Sequence, residues 1–193
     1  MFGGTFNPPH LGHLVLAQEL LAEFAFDKLL LVPCYLPPHK RVAEDPGAEE
    51  RLAMTRLLSG YDSKLEVLDW EIRAKSVSYT VDTLERIVGA PEYRDFFSDA
   101  KPYLVIGDDL AGDFFSWREP QRILELANVI VARRTLKGIA ADFPHSEAHN
   151  VLVEISSTLV RERIQSGSGW EWLCPVEVSA YIAEHSLYGA SRG

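Results

Sequence analysis

Short unbroken apolar runs alternate along this chain with segments whose apolar residues recur every three to four positions. That is the pattern of strands buried on both faces and separated by amphipathic helices. Leu14 to Phe24 carries apolar residues at helical spacing and predicts a helix. Leu29-Leu30-Leu31-Val32, ended by Pro33, predicts a buried strand, and Tyr35 to Pro46 is a loop rich in proline, lysine and arginine. Glu49 to Leu58 reads as a helix, Leu65 to Ile72 as a strand, and Thr80 to Val88 as a helix capped by Ser78 or Thr80. Tyr103 to Ile106 is a second buried strand running into Gly107-Asp108-Asp109. A helix over Pro120 to Ala127 follows, with proline in its first turn. Asn128 to Ala132 and Val151 to Ile155 read as strands, Ser156 or Ser157 as the cap of a helix through Ile164, and Val176 to Glu184 as the last helix.

Strands and helices in this alternation predict an α/β fold: a Rossmann-like, doubly wound, mostly parallel sheet with helices on both faces. Ligands of such sheets bind beyond the carboxyl ends of the strands. Gly3, Pro33, Gly107 and Arg133 all follow predicted strands and are expected along one edge. Only Met1 and Phe2 precede Gly3, so the first strand is expected to be clipped, its natural start upstream or trimmed away. No linker or repeat interrupts residues 1–193, which are read as one domain.

Composition narrows the function. Hydrophobic residues are 47% and charged residues 24%, ordinary for a globular chain. A net charge of −9 argues against nucleic acid or a membrane surface as partner. An anionic ligand would therefore need a local basic patch on an acidic body. The two cysteines, Cys34 and Cys174, form no CxxC pattern and fit free thiols in a reducing cytosol. No apolar run approaches a membrane span, and MFGGTFNPPH lacks the regions of a signal peptide. The expected location is the cytoplasm, and a homo-oligomer is left open.

The strongest chemical signal is Gly3-Gly4-Thr5-Phe6-Asn7-Pro8-Pro9-His10-Leu11-Gly12-His13, immediately before a helix. The glycines allow unusual angles and close approach. His10 and His13 share a face at the helix start, where unpaired N–H groups and a partial positive charge favour phosphate. Imidazolium or neutral N–H donors could then bind oxygens that gain charge. The alternatives are a turn capped by structural histidines, or a metal pair, for which no third ligand is evident. Neither a Walker A loop nor GxGxxG is present.

GGTFNPPHLGH resembles the His-x-Gly-His signature of the nucleotidylyltransferase superfamily, and Ile155-Ser156-Ser157-Thr158-Leu159-Val160-Arg161 is similar to its second signature. Val32-Pro33 with Pro37-Pro38-His39-Lys40, Ser78-Tyr79-Thr80-Val81-Asp82-Thr83-Leu84, and Ile106-Gly107-Asp108-Asp109 with Trp117 resemble bacterial nicotinate-mononucleotide adenylyltransferases. The likeness runs from Met1 to about Tyr188. It implies one nucleotidylyltransferase domain that makes deamido-NAD from nicotinate mononucleotide and ATP with Mg²⁺.

By position, the resemblance implies that His10, His13, Lys40 and Arg161 act on phosphates, with Gly3, Gly4, Thr5, Phe6 and Gly107 allowing close approach. Asp109 would hold ribose, Ile155, Ser156, Ser157 and Thr158 would cradle the nucleotide, and Arg134 is a further phosphate candidate. Trp117 would stack on the pyridine ring; Thr80, His39 and the backbone at Arg118 would meet the mononucleotide. Rival readings stay open: Trp117 as core, Thr80 as helix cap, Lys40 as a solvated charge beside Arg41, Arg134 as a surface ion pair, and Asp108 with Asp109 as a metal pair. Asp108 has no assigned role, and Gly138 to Asn150 carries no usable motif.

Overall fold

The computed structural model describes residues 1–36, 44–93, 100–135 and 138–190. The apolar runs become the strands of one six-stranded parallel sheet in the order β3-β2-β1-β4-β5-β6. These are β1 (Phe2–Gly4), β2 (Leu29–Pro33), β3 (Leu65–Val67), β4 (Tyr103–Gly107), β5 (Asn128–Ala132) and β6 (Ser146–Glu147). The helices are α1 (Leu11–Glu23), α2 (Ala48–Ser59), α3 (Trp70–Ala74), α4 (Thr80–Gly89), α5 (Asp108–Ala111), α6 (Pro120–Leu126), α7 (Ser157–Gln165) and α8 (Val176–Glu184).

Side chains alternate across each strand, so a run buried on both faces feeds two cores. Leu29, Leu31, Val105, Ile130 and Ala132 face one core, with Leu20 of α1, Met54 of α2, Val160 of α7 and Val178 of α8. Leu104, Ile106, Val129 and Val131 face the other, with Val81 and Leu84 of α4 and Ile123 of α6. Helices therefore cover both faces, as expected. Strand order reverses between β1 and β4, the place where parallel sheets open a ligand crevice. The register brings the four expected loops together there: Gly4 pairs with Pro33, and Gly107 with Ala132, one residue before Arg133.

Three expectations change. The predicted strand Val151–Ile155 is not one; the Ile155 amide donates instead to the Val153 carbonyl at 2.8 Å, a local turn that takes it out of any ladder. The sixth strand is Ser146–Glu147, an exposed polar edge with no apolar alternation to reveal it. The strand from Leu65 ends at Val67, because Asp69 opens α3 and is bound by Arg56 at 2.8 Å and Arg73 at 2.9 Å. Finally, α4 begins after Tyr79 with no side-chain cap, so neither Ser78 nor Thr80 satisfies its first amides. Among the described residues no helix is long and apolar enough to cross a membrane.

Candidate active site

The turn from β1 into α1 places two imidazoles at the helix start. His10 is the N-cap of α1, and His13 lies in its first turn. Their rings sit 3.8 Å apart between centroids, and the His13 ring rests 5.0 Å from Phe6. His10 is 3% exposed, yet neither ring nitrogen has a hydrogen-bond partner among the described residues. His13 Nδ1 accepts the His10 backbone N–H at 3.2 Å, so a neutral His13 carries its proton on Nε2. Gly12 lets the helix pass close to the His10 ring, where a Cβ would lie 3.0 Å from it.

Burial pushes the His10 pKa down to about 3, helped by the Arg134 charge. Burial, then His10 and Arg134, holds His13 well below the usual imidazole range. Both rings are therefore neutral at pH 7, and of the two donor forms considered above the neutral one applies. The sign of the stability effect follows. The unfolded histidines take up protons near pH 6.5, the folded His10 only near pH 3, so folding stability is complete above pH 6.5 and is lost as pH falls between these values. Urea unfolding of the ligand-free protein should show this as a slope of up to about 1.4 kcal/mol per pH unit for each histidine. The His10→Asn variant should lose its share of that slope. An unchanged slope would contradict the burial.

The second motif is bonded onto the first. Ser156 caps α7, its hydroxyl accepting the Leu159 amide at 3.1 Å. Ser157 Oγ donates to the Pro8 carbonyl at 2.8 Å, and Arg161 Nη1 to the Asn7 carbonyl at 2.7 Å. Arg161 Nη2 reaches Thr158 Oγ1 at 3.4 Å, while its buried Nε has no hydrogen bond among the described residues and lies 3.7 Å from Glu44. Tyr188 from the far end of the chain donates to Asn7 Oδ1 at 2.7 Å.

Two cavities open beside the turn from β1 into α1. One of about 440 Å³ is lined by His10, His13, Asp109, Arg134, Ile155 and Ser156. The other, about 210 Å³, is lined by Gly3, Gly4, Thr5, Thr80, Gly107 and Trp117, with Arg118 at its wall. Phe2 and Arg134 line both. Arg134 Nη1 lies 3.2 and 3.3 Å from the Asp109 carboxylate, the ion pair considered for it, at the wall of both cavities. Trp117 is half-buried against Phe114 at 5.5 Å while its other side faces the smaller cavity. The Arg118 guanidinium lies over Tyr79 at 4.8 Å and 3.7 Å from Asp82.

Some expected residues stand elsewhere. Phe6 lines neither cavity; it is 1% exposed and packs against Phe2 and His13. Phe6, and neither Gly3 nor Gly4, takes the left-handed φ of the turn, because both glycines are strand residues of β1. Ser157 and Arg161 grip the first motif, Thr158 bonds to Arg161, and none of the three lines either cavity. His39 and Lys40 lie outside the described residues. Asp108 is buried and binds the backbone beyond β5, so it forms no metal pair with Asp109. Among the described residues no group of three or more His, Cys, Asp or Glu could hold a metal.

Several residues escaped the sequence reading. Arg51 is fully buried and donates to the Thr5, Cys34 and Tyr35 carbonyls at 3.0, 2.6 and 2.7 Å, joining the loops after β1 and β2. Its signal was a charge at the helical spacing of the buried Met54 and Leu58. Glu71 and Cys34 line the smaller cavity. Burial pushes both upward in pKa, and Glu71 accepts the Thr83 hydroxyl at 2.6 Å.

Comparison with known proteins agrees with this geometry. The cytidylyltransferase-like family model matches residues 1–163. The chain is 36% identical over 189 residues to the probable nicotinate-nucleotide adenylyltransferase of Borrelia hermsii, covering 97% of this chain and 96% of that one. It is 32% identical over 193 residues to the corresponding protein of Geobacillus kaustophilus, covering 100% and 87%. Its fold matches the Plasmodium falciparum nicotinic acid mononucleotide adenylyltransferase complexed with APC, with TM-score 0.73 and 17% identity over 100% of this chain and 97% of that one. The same protein complexed with NaAD matches with TM-score 0.72.

Proposed function

The chain belongs to the cytidylyltransferase-like family, among its nicotinate-nucleotide adenylyltransferases, and we propose that it transfers AMP from ATP to nicotinate mononucleotide, releasing pyrophosphate and deamido-NAD for NAD biosynthesis. Residues 1–193 act as one nucleotidylyltransferase domain. The observation that carries this reading is a pair of cavities that share Arg134, the larger of them lined by two neutral histidines.

ATP occupies the larger cavity, its triphosphate at the start of α1, where no acidic residue stands in the first turn. The adenosine lies toward Asp109, Ile155 and Ser156, with Asp109 accepting ribose hydroxyls. The mononucleotide occupies the smaller cavity beside Gly3, Gly4 and Thr5. Its pyridine ring stacks on Trp117, and its carboxylate meets Thr80, the uncapped amides of α4 and the backbone at Arg118. The mononucleotide phosphate attacks the α-phosphorus in line, forming one P–O bond as the bond to pyrophosphate breaks. Such transfer depends on positioning and charge stabilisation, and needs no covalent enzyme intermediate.

The imidazole N–H groups and Arg134 stabilise charge on the transferring phosphates. Ser157 and Arg161 hold the first motif in place, with Thr158 bonded to Arg161. Lys40 and His39 keep the phosphate and mononucleotide roles that the resemblance implies for them. Mg²⁺ brought by ATP would supply charge neutralisation on the phosphates, beside Arg134 and the two imidazoles, and would ask for no all-protein cage.

The test is pyrophosphate release from ATP and Mg²⁺ with nicotinate mononucleotide, its amide, phosphopantetheine or FMN as acceptor. The nicotinate compound should give the highest kcat/KM. In the same assay Trp117→Ala should raise KM for the mononucleotide about tenfold while leaving KM for ATP within about twofold, as expected for one lost stacking contact. A preference for FMN or phosphopantetheine, or equal effects on both KM values, would count against the assignment.

A further inference from the structure

Strand β5 ends at Ala132, and among the described residues no ladder pairing continues over Arg133 to Thr135. Two buried side chains from distant parts of the chain take its place. The Asp108 carboxylate, 8% exposed, accepts the Arg134 amide at 3.0 Å, the Thr135 amide at 3.1 Å and the Thr135 hydroxyl at 3.0 Å. Asn150, 7% exposed, accepts the Arg133 amide through Oδ1 at 3.0 Å. Its Nδ2 donates to the Arg133 carbonyl at 3.0 Å and to the Val151 carbonyl at 3.1 Å. Buried polar side chains must be paired, and here their pairing falls on the segment that roots Arg134.

Arg134 lines both cavities with a side chain that is partly exposed and long. Its guanidinium can be placed reproducibly only if its backbone is fixed, since the side chain has many rotamers of its own. Asp108 also connects this root to its own neighbour Asp109, which faces the Arg134 guanidinium. We propose that Asp108 and Asn150 are positioning residues for nucleotide transfer, a two-sided clamp on the Arg133–Thr135 backbone that aims Arg134 at the phosphates between the two cavities. The proposal rests on the reading of Arg134 as a phosphate ligand, and the experiment separates the two.

The experiment is a double-mutant cycle on kcat/KM for ATP, with thermal unfolding of each variant. Asp108→Asn should lower kcat/KM about tenfold, because a small misplacement of a positioned group is costly. In an Arg134→Ala background the same change should cost less than about twofold, since the group it positions is gone. Asn150→Asp, which keeps the acceptor for the Arg133 amide and loses the donor, supplies a second variant with the same expected non-additivity. Losses that multiply in the double variants would show that the clamp serves the fold alone, and overturn the proposal. Near-normal activity of Arg134→Ala itself would overturn the reading of Arg134, and the clamp's role with it.

Discussion

Replacing His13 by alanine should lower kcat by about 10²–10³ while the protein remains folded, the usual cost of removing one donor aimed at developing charge. The reasoning starts from its protonation. His13 Nδ1 is occupied by the His10 amide, and burial with two nearby groups keeps the ring neutral, so Nε2–H is its single remaining donor. A neutral donor in a site shielded from water binds an ordinary phosphate modestly and a phosphoryl group gaining charge more strongly. The loss should therefore fall on kcat, with KM for ATP changed by no more than a few-fold. The alanine also leaves the His10 amide without its acceptor, which costs roughly 1–3 kcal/mol of stability. Urea unfolding would register that cost separately. A folded His13→Ala protein with near-normal kcat would refute the role.

The residues differ in how far their place could be read from the sequence, and the difference is physical. Leu29–Val32, Tyr103–Ile106 and Asn128–Ala132 announce themselves because both faces of each strand are buried. The α8 helix matches its predicted bounds, with Val178 and Ile182 buried one turn apart. Ser146–Glu147 carries no such signature, since an exposed edge strand needs only backbone pairing with Ile130 and Val131. The first motif was legible as a phosphate turn because glycines, prolines and histidines are dense within it. Its supports were not. Arg51, Asp108 and Asn150 act on backbone groups far along the chain, and no local spacing encodes a partner brought close only by folding. Phe6 illustrates the opposite error: it stands inside the motif, yet its ring belongs to the core behind His13.

Gly107→Ala should leave the fold nearly as stable as before, within about 1 kcal/mol, and lower kcat/KM for ATP by about 10²-fold, the scale of an ångström-sized misplacement of positioned groups. The backbone at Gly107 has φ −76° and ψ 152°, which alanine adopts without strain. Its pairing with Ala132 in the β4–β5 ladder is made by backbone alone and survives the change. The added methyl meets side chains instead: it would stand 2.2 Å from Asp109 Oδ1 and 2.6 Å from Arg134 Cδ. Both side chains are partly exposed and can swing aside cheaply, so the fold is spared. What cannot be kept is the joint placement of a ribose acceptor and a phosphate donor at the meeting of the two cavities. The effect should thus appear in the ATP terms of the kinetics with an almost unshifted denaturation midpoint. Full activity would mean that the two side chains need not stand where they do, and a collapse in stability matching the lost activity would place the role of Gly107 in packing.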